Sequence, residues 1–363
     1  MISRKKIADL VKGYDDVTIG VLGSHSALEV MDGAKDEDMK TVVICQRGRE
    51  TPYKRFDRLA DNMIVLNKFS DMLRTGIQNK LSDLKTILVP HRALTAYLGY
   101  RGIENNLMIP IFGNRSLLRA EERTIRRNQY FLLEKARVRH PKIFKTPEQI
   151  DRPVIVKVQE SKRKMERAFF IASSYNDYKK KVEQRIKKGI IVKRDLSRSI
   201  IEELVIGTYF NFNFFYSVLE EEMEFLGIER RLQTNLHDFV TIPAKEQLDM
   251  DVQLQNIEVG HTPASIRESM LEKVFGIGDR FVKATRKEYP PGIIGPLSLQ
   301  SIVTIDMDIV VYDVSLRVPG NPIMATTSPY VKYYYGKTFG IGRRIAMEIK
   351  RGYMEDRLAD IVT

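Results

Sequence analysis

Residues 153–174 have the sequence PVIVKVQESKRKMERAFFIASS. Two apolar runs, Pro153–Val158 and Ala168–Ala172, flank a polar segment, and this pattern predicts a β-hairpin. The connecting segment contains no glycine and carries the cations Lys162, Arg163, Lys164 and Arg167. Ammonium and guanidinium groups neutralise phosphate charge and donate hydrogen bonds to it. Two interpretations are therefore open, a solvated turn kept polar for solubility and a hairpin that binds a phosphate-rich ligand.

Composition limits the class of protein. A chain of 363 residues is too long for one simple core, so two or three packed units are expected. No apolar run reaches the roughly 18 residues of a membrane span, and the segment MISRKKIADLVKGYDD lacks the apolar core of a signal peptide. Cys45 is the single cysteine, which excludes an intrachain disulfide and indicates a reducing compartment. We therefore expect a cytoplasmic protein that does not span a membrane.

The charge balance favours anionic partners. The formal net charge is +12, from 59 basic and 47 acidic side chains. Nucleotides, phosphates and RNA are all compatible with this excess. The basic residues are interspersed with carboxylates, and neither an RNA-recognition aromatic motif nor a zinc-finger spacing is present. An RNA-binding function would rest on net charge alone, so nucleic acid is not an expected partner.

The first third alternates apolar runs with helical patterns, which predicts a parallel sheet covered by helices. The predicted strands are Val17–Leu22, Thr41–Cys45, Met63–Leu66, Thr86–Val89 and Met108–Ile111. Ligands of such sheets bind in the loops that follow the carboxyl ends of strands. The first of these loops, Gly23–Ser26, leads into a helix whose N-terminus attracts anions. Ser26 is a candidate ligand there, or alternatively only a helix cap, and His25 is either a ligand or a surface histidine.

The rest of the chain predicts a mixed architecture. Within Phe112–Pro141, a helical face is predicted from Ile125, Leu132, Leu133 and Ala136. A basic helix is predicted over Lys179–Lys188. Strands of a larger antiparallel sheet are predicted over Asn211–Val218, Glu224–Glu229 and Val303–Val314.

Several longer segments resemble the ATP-grasp superfamily, and within it the archaeal formate-dependent 5-formaminoimidazole-4-carboxamide ribonucleotide synthetases. The segments include GSHSALEVMDGAK (Gly23–Lys35), FGNRSLLRAE (Phe112–Glu121), PVIVK (Pro153–Lys157), IPAKEQL (Ile242–Leu248), GPLSLQS (Gly295–Ser301) and GRRIAMEI (Gly342–Ile349). The resemblance runs from end to end. It implies an α/β and α+β protein, an ATP-grasp fold with an N-terminal parallel-sheet pre-ATP-grasp domain over 1–115, a lid subdomain over 116–205 and a C-terminal subdomain over 206–363.

The resemblance also implies an activity. In that family ATP and Mg²⁺ convert formate to an acyl phosphate, which formylates aminoimidazole carboxamide ribotide in purine biosynthesis, usually in a homo-oligomer. By position in the family motifs, the implied ATP-binding residues are Lys157, Lys162, Lys164, Glu202, Glu203, Leu204, Val205 and Gln233. The implied ribotide-binding residues are His25, Ser26, Arg92, Ala93 and His261, and the implied Mg²⁺ ligands are Gln300 and Asp313. The alternative for Gln300 is a side chain that satisfies backbone groups.

The sequence departs from the family pattern at the positions that carry the chemistry. The hairpin segment lacks the glycines that let backbone N–H groups close over phosphates. Arg92 and Ala93 replace a serine-containing loop, His261 replaces an asparagine, and Gln233 and Asp313 replace glutamates. Two hypotheses follow: a ligase, with an altered substrate as one possibility, or a catalytically impaired paralogue that binds nucleotide or ribotide as a sensor or assembly partner.

Overall fold

The structure is a computed structural model that describes residues 1–158, 168–197, 199–233, 241–249, 258–320 and 327–363. Its strands are β1 (Thr18–Leu22), β2 (Lys40–Gln46), β3 (Asn62–Leu66), β4 (Thr86–Leu88), β5 (Ile143–Phe144), β6 (Val154–Val158), β7 (Ala168–Ala172), β8 (Ile200–Glu203), β9 (Thr208–Ser217), β10 (Glu222–Gln233), β11 (Glu258–Ala264), β12 (Gly295–Val303) and β13 (Ile309–Ser315).

The α-helices in the described residues are α1 (Arg4–Val11), α2 (Ala27–Asp36), α3 (Thr51–Arg55), α4 (Thr75–Asp83), α5 (Arg92–Asn105), α6 (Gln129–Lys135), α7 (Tyr175–Lys187), α8 (Lys193–Leu196), α9 (Ala244–Asp249), α10 (Leu271–Glu288), α11 (Pro329–Tyr335), α12 (Ile341–Met354) and α13 (Leu358–Ile361). None of these helices is long and apolar enough to cross a bilayer.

The N-terminal sheet is parallel, as the sequence predicts, with strand order β3-β2-β1-β4. Every residue of β1 is buried, because helices cover both faces of a parallel sheet. The prediction of a fifth strand over Met108–Ile111 is wrong, because Ile111 alone of these residues forms a β-bridge, an isolated parallel one to Leu88. The backbone groups of this segment bond partly to the backbones of Leu88 and Thr363 and partly to side chains, without a continuous strand pairing. The N–H of Met108 donates to Gln78 (2.6 Å), and the Arg115 guanidinium donates to backbone carbonyls, including that of Ile109 (2.9 Å).

The largest sheet is antiparallel, with strand order β11-β10-β9-β12-β13. Successive residues of β9 point to opposite faces: Phe212 and Phe214 enter the apolar core, while Asn211 lies on the other face. The strand predicted over Val303–Val314 is instead the end of β12, a turn and β13. The N–H of Thr304 donates to the Asp308 carbonyl at 3.0 Å and closes that turn.

The third sheet is also antiparallel, with strand order β5-β8-β6-β7. The hairpin predicted from residues 153–174 is confirmed, because β6 and β7 pair from Val154–Ala172 to Val158–Ala168. Lys162 and Lys164 lie outside the described residues. The predicted basic helix is also confirmed as α7, which buries Tyr178 and Val182 in the small core beneath this sheet.

The helix predicted within Phe112–Pro141 is shorter than expected. It begins at Gln129, because the Asn128 side chain accepts hydrogen bonds from the N–H groups of Tyr130 (3.0 Å) and Phe131 (3.2 Å) and caps the helix there. Ile125 precedes this cap, so it is not part of the apolar face formed by Leu132 and Leu133. A local capping interaction therefore outweighs the longer apolar periodicity.

Two glycines from distant parts of the chain allow α2 and α12 to pack backbone against backbone. A Cβ atom at Gly33 would lie 2.0 Å from the Arg343 nitrogen, and one at Gly342 would lie 2.1 Å from the Glu29 carbonyl oxygen. Both glycines are buried. This crossing packs a helix of the N-terminal parallel sheet against a helix close to the C-terminus.

Candidate functional site

A cavity of about 230 Å³ lies between the third sheet and the large antiparallel sheet. Lys157 and Ile155 of β6, the end of β8 and the segment that follows it form one side, and residues of β9, β10, β12 and β13 form the other. Seven of the residues implied by the family resemblance line this cavity: Lys157, Glu202, Glu203, Leu204, Val205, Gln233 and Asp313. Residues far apart in sequence are therefore gathered at one place.

Lys157 lies at the floor of the cavity in a buried ionic network. Its ammonium group donates to one carboxylate oxygen of Glu202, and the Tyr130 hydroxyl donates to the other. The Lys157 and Glu202 side chains are 9% and 1% exposed. Burial lowers the pKa of Lys157, and the neighbouring Glu202 carboxylate opposes this change. Lys157 is thus one half of a buried ion pair at the cavity wall.

The segment after β8 presents a backbone donor beside an apolar slot. The N–H group of Glu203 donates to the Lys142 carbonyl (2.8 Å), and that of Leu204 donates to the Pro153 carbonyl (2.9 Å). Among the described residues, no hydrogen bond is formed by the next N–H, that of Val205. The slot is lined by Ile155, Phe169, Ile302 and the edge-to-face pair Tyr209–Tyr312, whose ring centroids are 5.6 Å apart. An apolar slot with a backbone donor suits a purine base.

A row of polar residues crosses the large sheet beside the cavity. The strand register aligns Asp313 with Gln300, Gln300 with Asn211, and Asn211 with Glu229. Directly opposed residues of neighbouring antiparallel strands project from the same face. Gln300 is buried, and its Nε2 donates weakly to Ser315 at 3.3 Å. Its Oε1 has no hydrogen-bond partner in the described residues, so Gln300 does not simply satisfy backbone groups.

The row offers oxygen donors of the kind that Mg²⁺ prefers. No group of three or more histidine, cysteine, aspartate or glutamate side chains that could hold a metal ion occurs in the described residues. However, Mg²⁺ is commonly bound through one or two carboxylates plus substrate phosphates. The Asp313 carboxylate and the unpartnered Oε1 of Gln300 fit that pattern. In the structure, Asp313 forms an ion pair with Arg123 at 2.8 Å.

Arg123 was not identified from the sequence. It lies in the segment before α6 and lines the cavity. Burial acts to lower its pKa, but Asp313, Tyr130 and Glu202 together outweigh burial and raise it. Its Nε–H is buried and has no partner in the described residues. No local pattern singles out Arg123 among the neighbouring arginines, because its partner Asp313 lies in a distant part of the chain.

His25 and Ser26 follow β1, as predicted, and their side chains contact each other. His25 Nδ1 lies 2.8 Å from the Ser26 hydroxyl, which donates to the Pro319 carbonyl at 2.7 Å. The interpretation of Ser26 as a side-chain helix cap is therefore wrong. The His25 ring stacks on His91, with centroids 5.7 Å apart. A Cβ atom at Gly320 would lie 2.7 Å from the His25 ring, so the segment after β13 packs against this loop.

Arg92 and Ala93 lie at the start of α5 and differ in exposure. Arg92 is exposed, whereas Ala93 is buried in the apolar core of the parallel sheet, so a ligand contact through the Ala93 side chain is not supported. The preceding His91 is fully buried, with Nε2 2.9 Å from the Leu22 carbonyl and Nδ1 3.2 Å from the Ala93 N–H. Burial lowers the pKa of His91 to about 4, so this ring is a neutral bridge between β1 and α5.

His261 lies on β11 between two carboxylates. Its Nδ1 is 2.9 Å from Glu229, and its Nε2 is 2.9 Å from Glu258. Glu258 also pairs with Arg231 at 3.0 Å. Burial acts to lower the pKa of His261, but the two carboxylates outweigh burial and raise it to about 9. Both ring nitrogens are therefore used within the protein, and His261 is an imidazolium at neutral pH.

We expect this imidazolium to make stability depend on alkaline pH. A histidine in an unfolded chain has a pKa of about 6.5, and that of His261 is raised to about 9. The folded state keeps a proton that the unfolded chain releases, so this stabilisation is complete below the lower pKa and is lost as pH rises through the higher one. In urea denaturation, the free energy of unfolding should fall more between the unfolded pKa of about 6.5 and the folded pKa of about 9 for the native chain than for His261→Gln. If the stability of both proteins depended equally on pH, His261 would not be held between the two carboxylates in solution.

The three sheets and the cavity between two of them define an ATP-grasp protein. The structure is similar to that of the ADP complex of PurK, an N5-carboxyaminoimidazole ribonucleotide synthetase. The TM-score is 0.60 at 14% identity, over 90% of this chain and 78% of the other. It is also similar to an IMP biosynthesis protein PurP from Thermococcus kodakaraensis. Here the TM-score is 0.70 at 26% identity, over 95% of this chain and all of the other.

Sequence comparison identifies the family within this class. The chain is 39% identical over its full length to 5-formaminoimidazole-4-carboxamide-1-(beta)-D-ribofuranosyl 5'-monophosphate synthetase from Methanothermobacter thermautotrophicus, covering 99% of that protein. It is 41% identical to the synthetase of the same name from Methanocaldococcus jannaschii, covering both chains fully. The family models Protein of unknown function (DUF1246) and Domain of unknown function (DUF1297) match residues 19–144 and 177–363. The chain belongs to the family of these synthetases.

Proposed function

We propose that this protein is an ATP-dependent ligase that uses formate to formylate the amine of aminoimidazole carboxamide ribotide in purine biosynthesis. The observation that carries the proposal is the full-length identity of 39% and 41% with synthetases of this name. The cavity supports it, because it combines an apolar slot, the donor at Val205 and the cation Lys157. These are the groups that a purine nucleotide requires.

The proposed reaction has two steps. A formate oxygen attacks the γ-phosphorus of ATP, and ADP leaves with the electron pair of the broken P–O bond. The ribotide amine then attacks the formyl carbon of the resulting acyl phosphate, phosphate leaves, and the nitrogen loses a proton. The enzyme contributes mainly by positioning the reactants and by stabilising phosphate charge.

The residues of the chain divide between two regions in this proposal. The slot and Val205 hold the base of ATP, Lys157 binds a phosphate, and Gln300 and Asp313 would hold Mg²⁺, which when bound supplies positive charge to the phosphates. The ribotide would lie near the His25 loop. His261 and its partner Glu258 are close enough to that loop for their charges to act on the pKa of His25, which His261 lowers and Glu258 raises.

The same proposal includes the organisation of the chain. We assign residues 1–115 to a pre-ATP-grasp domain, 116–205 to the lid subdomain and 206–363 to the C-terminal subdomain. This division agrees with the three sheets, although β5 to β8 rather than the whole middle segment form the lid sheet. Self-association into a homo-oligomer and a cytoplasmic location are further parts of the proposal. The buried thiol of Cys45 is compatible with the latter.

The test is a balanced assay of the purified protein with ATP, Mg²⁺, formate and the ribotide. We expect ADP, phosphate and formylated ribotide in equal amounts, and no product when any one component is omitted. Omitting formate while retaining the ribotide separates ligation from simple ATP hydrolysis. If no product forms while ATP still raises the melting temperature, the ligase proposal is wrong and the impaired, nucleotide-binding paralogue replaces it.

A further inference from the structure

Two ion pairs of the described residues have both members in the lining of the nucleotide cavity, and these two pairs differ in burial. The pair Lys157–Glu202 is almost fully buried, with side chains 9% and 1% exposed. The pair Arg123–Asp313 is partly accessible, with side chains 21% and 20% exposed. An accessible pair opens at a smaller cost than a buried one, because solvent or a ligand can replace the lost partner. Arg123–Asp313 is therefore the pair that can exchange partners.

The carboxylate of this pair belongs to the oxygen row of the large sheet. Asp313 is the register partner of Gln300, whose Oε1 is buried and unpartnered in the described part of the chain. A buried carbonyl oxygen without a donor is costly unless a ligand satisfies it. The Arg123 guanidinium already lies 2.8 Å from the Asp313 carboxylate. A divalent cation bound by Gln300 Oε1 and Asp313 would therefore share this carboxylate with the guanidinium. Two positive charges cannot share that carboxylate without strong repulsion.

The guanidinium also has an unused donor. Arg123 Nε–H is buried without a partner in the described residues, although the group forms an ion pair through Nη2. The other carboxylate nearby, that of Glu202, already accepts from Lys157 and Tyr130. A guanidinium that leaves Asp313 has a natural acceptor in a phosphate, because its planar donors match phosphate oxygens in pairs.

We infer that Arg123 is a further nucleotide-binding residue, which neutralises Asp313 when the cavity is free and moves to the phosphates when a nucleotide arrives with its metal ion. This inference rests on the proposed function, since it requires that the cavity binds ATP. It makes nucleotide and metal binding cooperative: the metal is excluded from Asp313 until phosphates draw Arg123 away. The same exchange keeps the floor of the cavity electrically balanced in both states.

The test uses the full chain and two binding measurements that do not depend on turnover. Mn²⁺ binding without nucleotide is followed by electron paramagnetic resonance, and ADP binding without metal by calorimetry. For Arg123→Gln we expect Mn²⁺ binding to become about tenfold tighter and metal-free ADP binding about tenfold weaker, as for one charged hydrogen bond. The matched control is Arg126→Gln, an exposed arginine of the same segment, which should change neither value.

The opposite signs distinguish the inference from damage to the fold, because a misfolded variant would bind both ligands more weakly. If Arg123→Gln does not fold, Asp313→Asn supplies the reverse test: metal binding is lost, and metal-free ADP binding tightens as Arg123 becomes available. Unchanged ADP and Mn²⁺ binding in Arg123→Gln would overturn the inference alone. If the native chain binds no ADP with or without metal, the proposed function is itself wrong, and the inference with it.

Discussion

Replacing Lys157 by methionine is expected to lower the rate of product formation roughly 100-fold or more, which is typical for the loss of one preorganised group that stabilises phosphate charge. Methionine keeps most of the length and the apolar stem of lysine but removes the ammonium group. Steady-state measurement of ADP release, with ATP varied at saturating formate and ribotide, would test this. A matched control is Lys187→Met, because Lys187 is exposed at the end of α7, away from the cavity.

The same substitution should also destabilise the protein, and this effect has to be separated from catalysis. Without Lys157, the Glu202 carboxylate stays buried, and in the described part of the chain the Tyr130 hydroxyl is its remaining side-chain hydrogen-bond donor, at a cost of about 3 kcal/mol. The double variant Lys157→Met/Glu202→Gln removes both charges, and the new amide oxygen would still accept from Tyr130. We expect it to recover most of the stability in urea denaturation but none of the activity. Recovery of both would show that Lys157 serves the fold alone.

A single methyl group at Gly342 is expected to destabilise the protein by about 3 kcal/mol, at the upper end of the usual cost of overpacking. The added Cβ would lie 2.1 Å from the Glu29 carbonyl oxygen and 2.8 Å from the Val30 Cα. These are backbone atoms of α2, so no side-chain rotation can relieve the overlap. Helices α2 and α12 would have to separate, which exposes apolar residues such as Ile345 and Val30.

The measurement is the free energy of unfolding of Gly342→Ala from urea denaturation. The control is Gly76→Ala in α4, where the added Cβ meets no atom within 4 Å. Alanine is the better helix former, so this control should be neutral or more stable by about 0.5 kcal/mol. If the two variants were equally stable, the backbone contact between α2 and α12 would not exist in solution.

The local elements were predicted well where a short pattern determines them. The hairpin around residues 153–174 and strands β1 to β4 follow from apolar runs that alternate with polar segments. In contrast, Met108–Ile111 has the apolar character of a strand, yet Met108 and Ile109 bond to the side chains of Gln78 and Arg115, and Ile111 bonds to the backbone of Thr363. A sequence pattern does not show which distant side chain will supply a hydrogen bond, so this prediction was wrong.

In the candidate site, too, some residues could be identified from the sequence and others only from their distant partners. Lys157, Glu202 and Val205 were implied by the resemblance to the family, which rests on contiguous motifs of the sequence. Arg123 and Asn211 were missed, although the polar–apolar alternation of β9 marks Asn211 as a residue of the cavity face. Arg123 has no such mark, since it precedes a helix in a segment with other arginines.

By itself, the sequence determined the class of fold, the family and seven of the residues that line the nucleotide cavity, because these depend on local periodicity and on contiguous motifs. Only the tertiary structure decided which distant residues contact one another. Arg123 meets Asp313, His261 is held between Glu229 and Glu258, and Gly33 meets Gly342. The physical reason is that sheet register and helix crossing bring these groups together, and both arise from the packing of the whole chain. The basic hairpin that first suggested phosphate binding borders this cavity through Lys157 and Phe169.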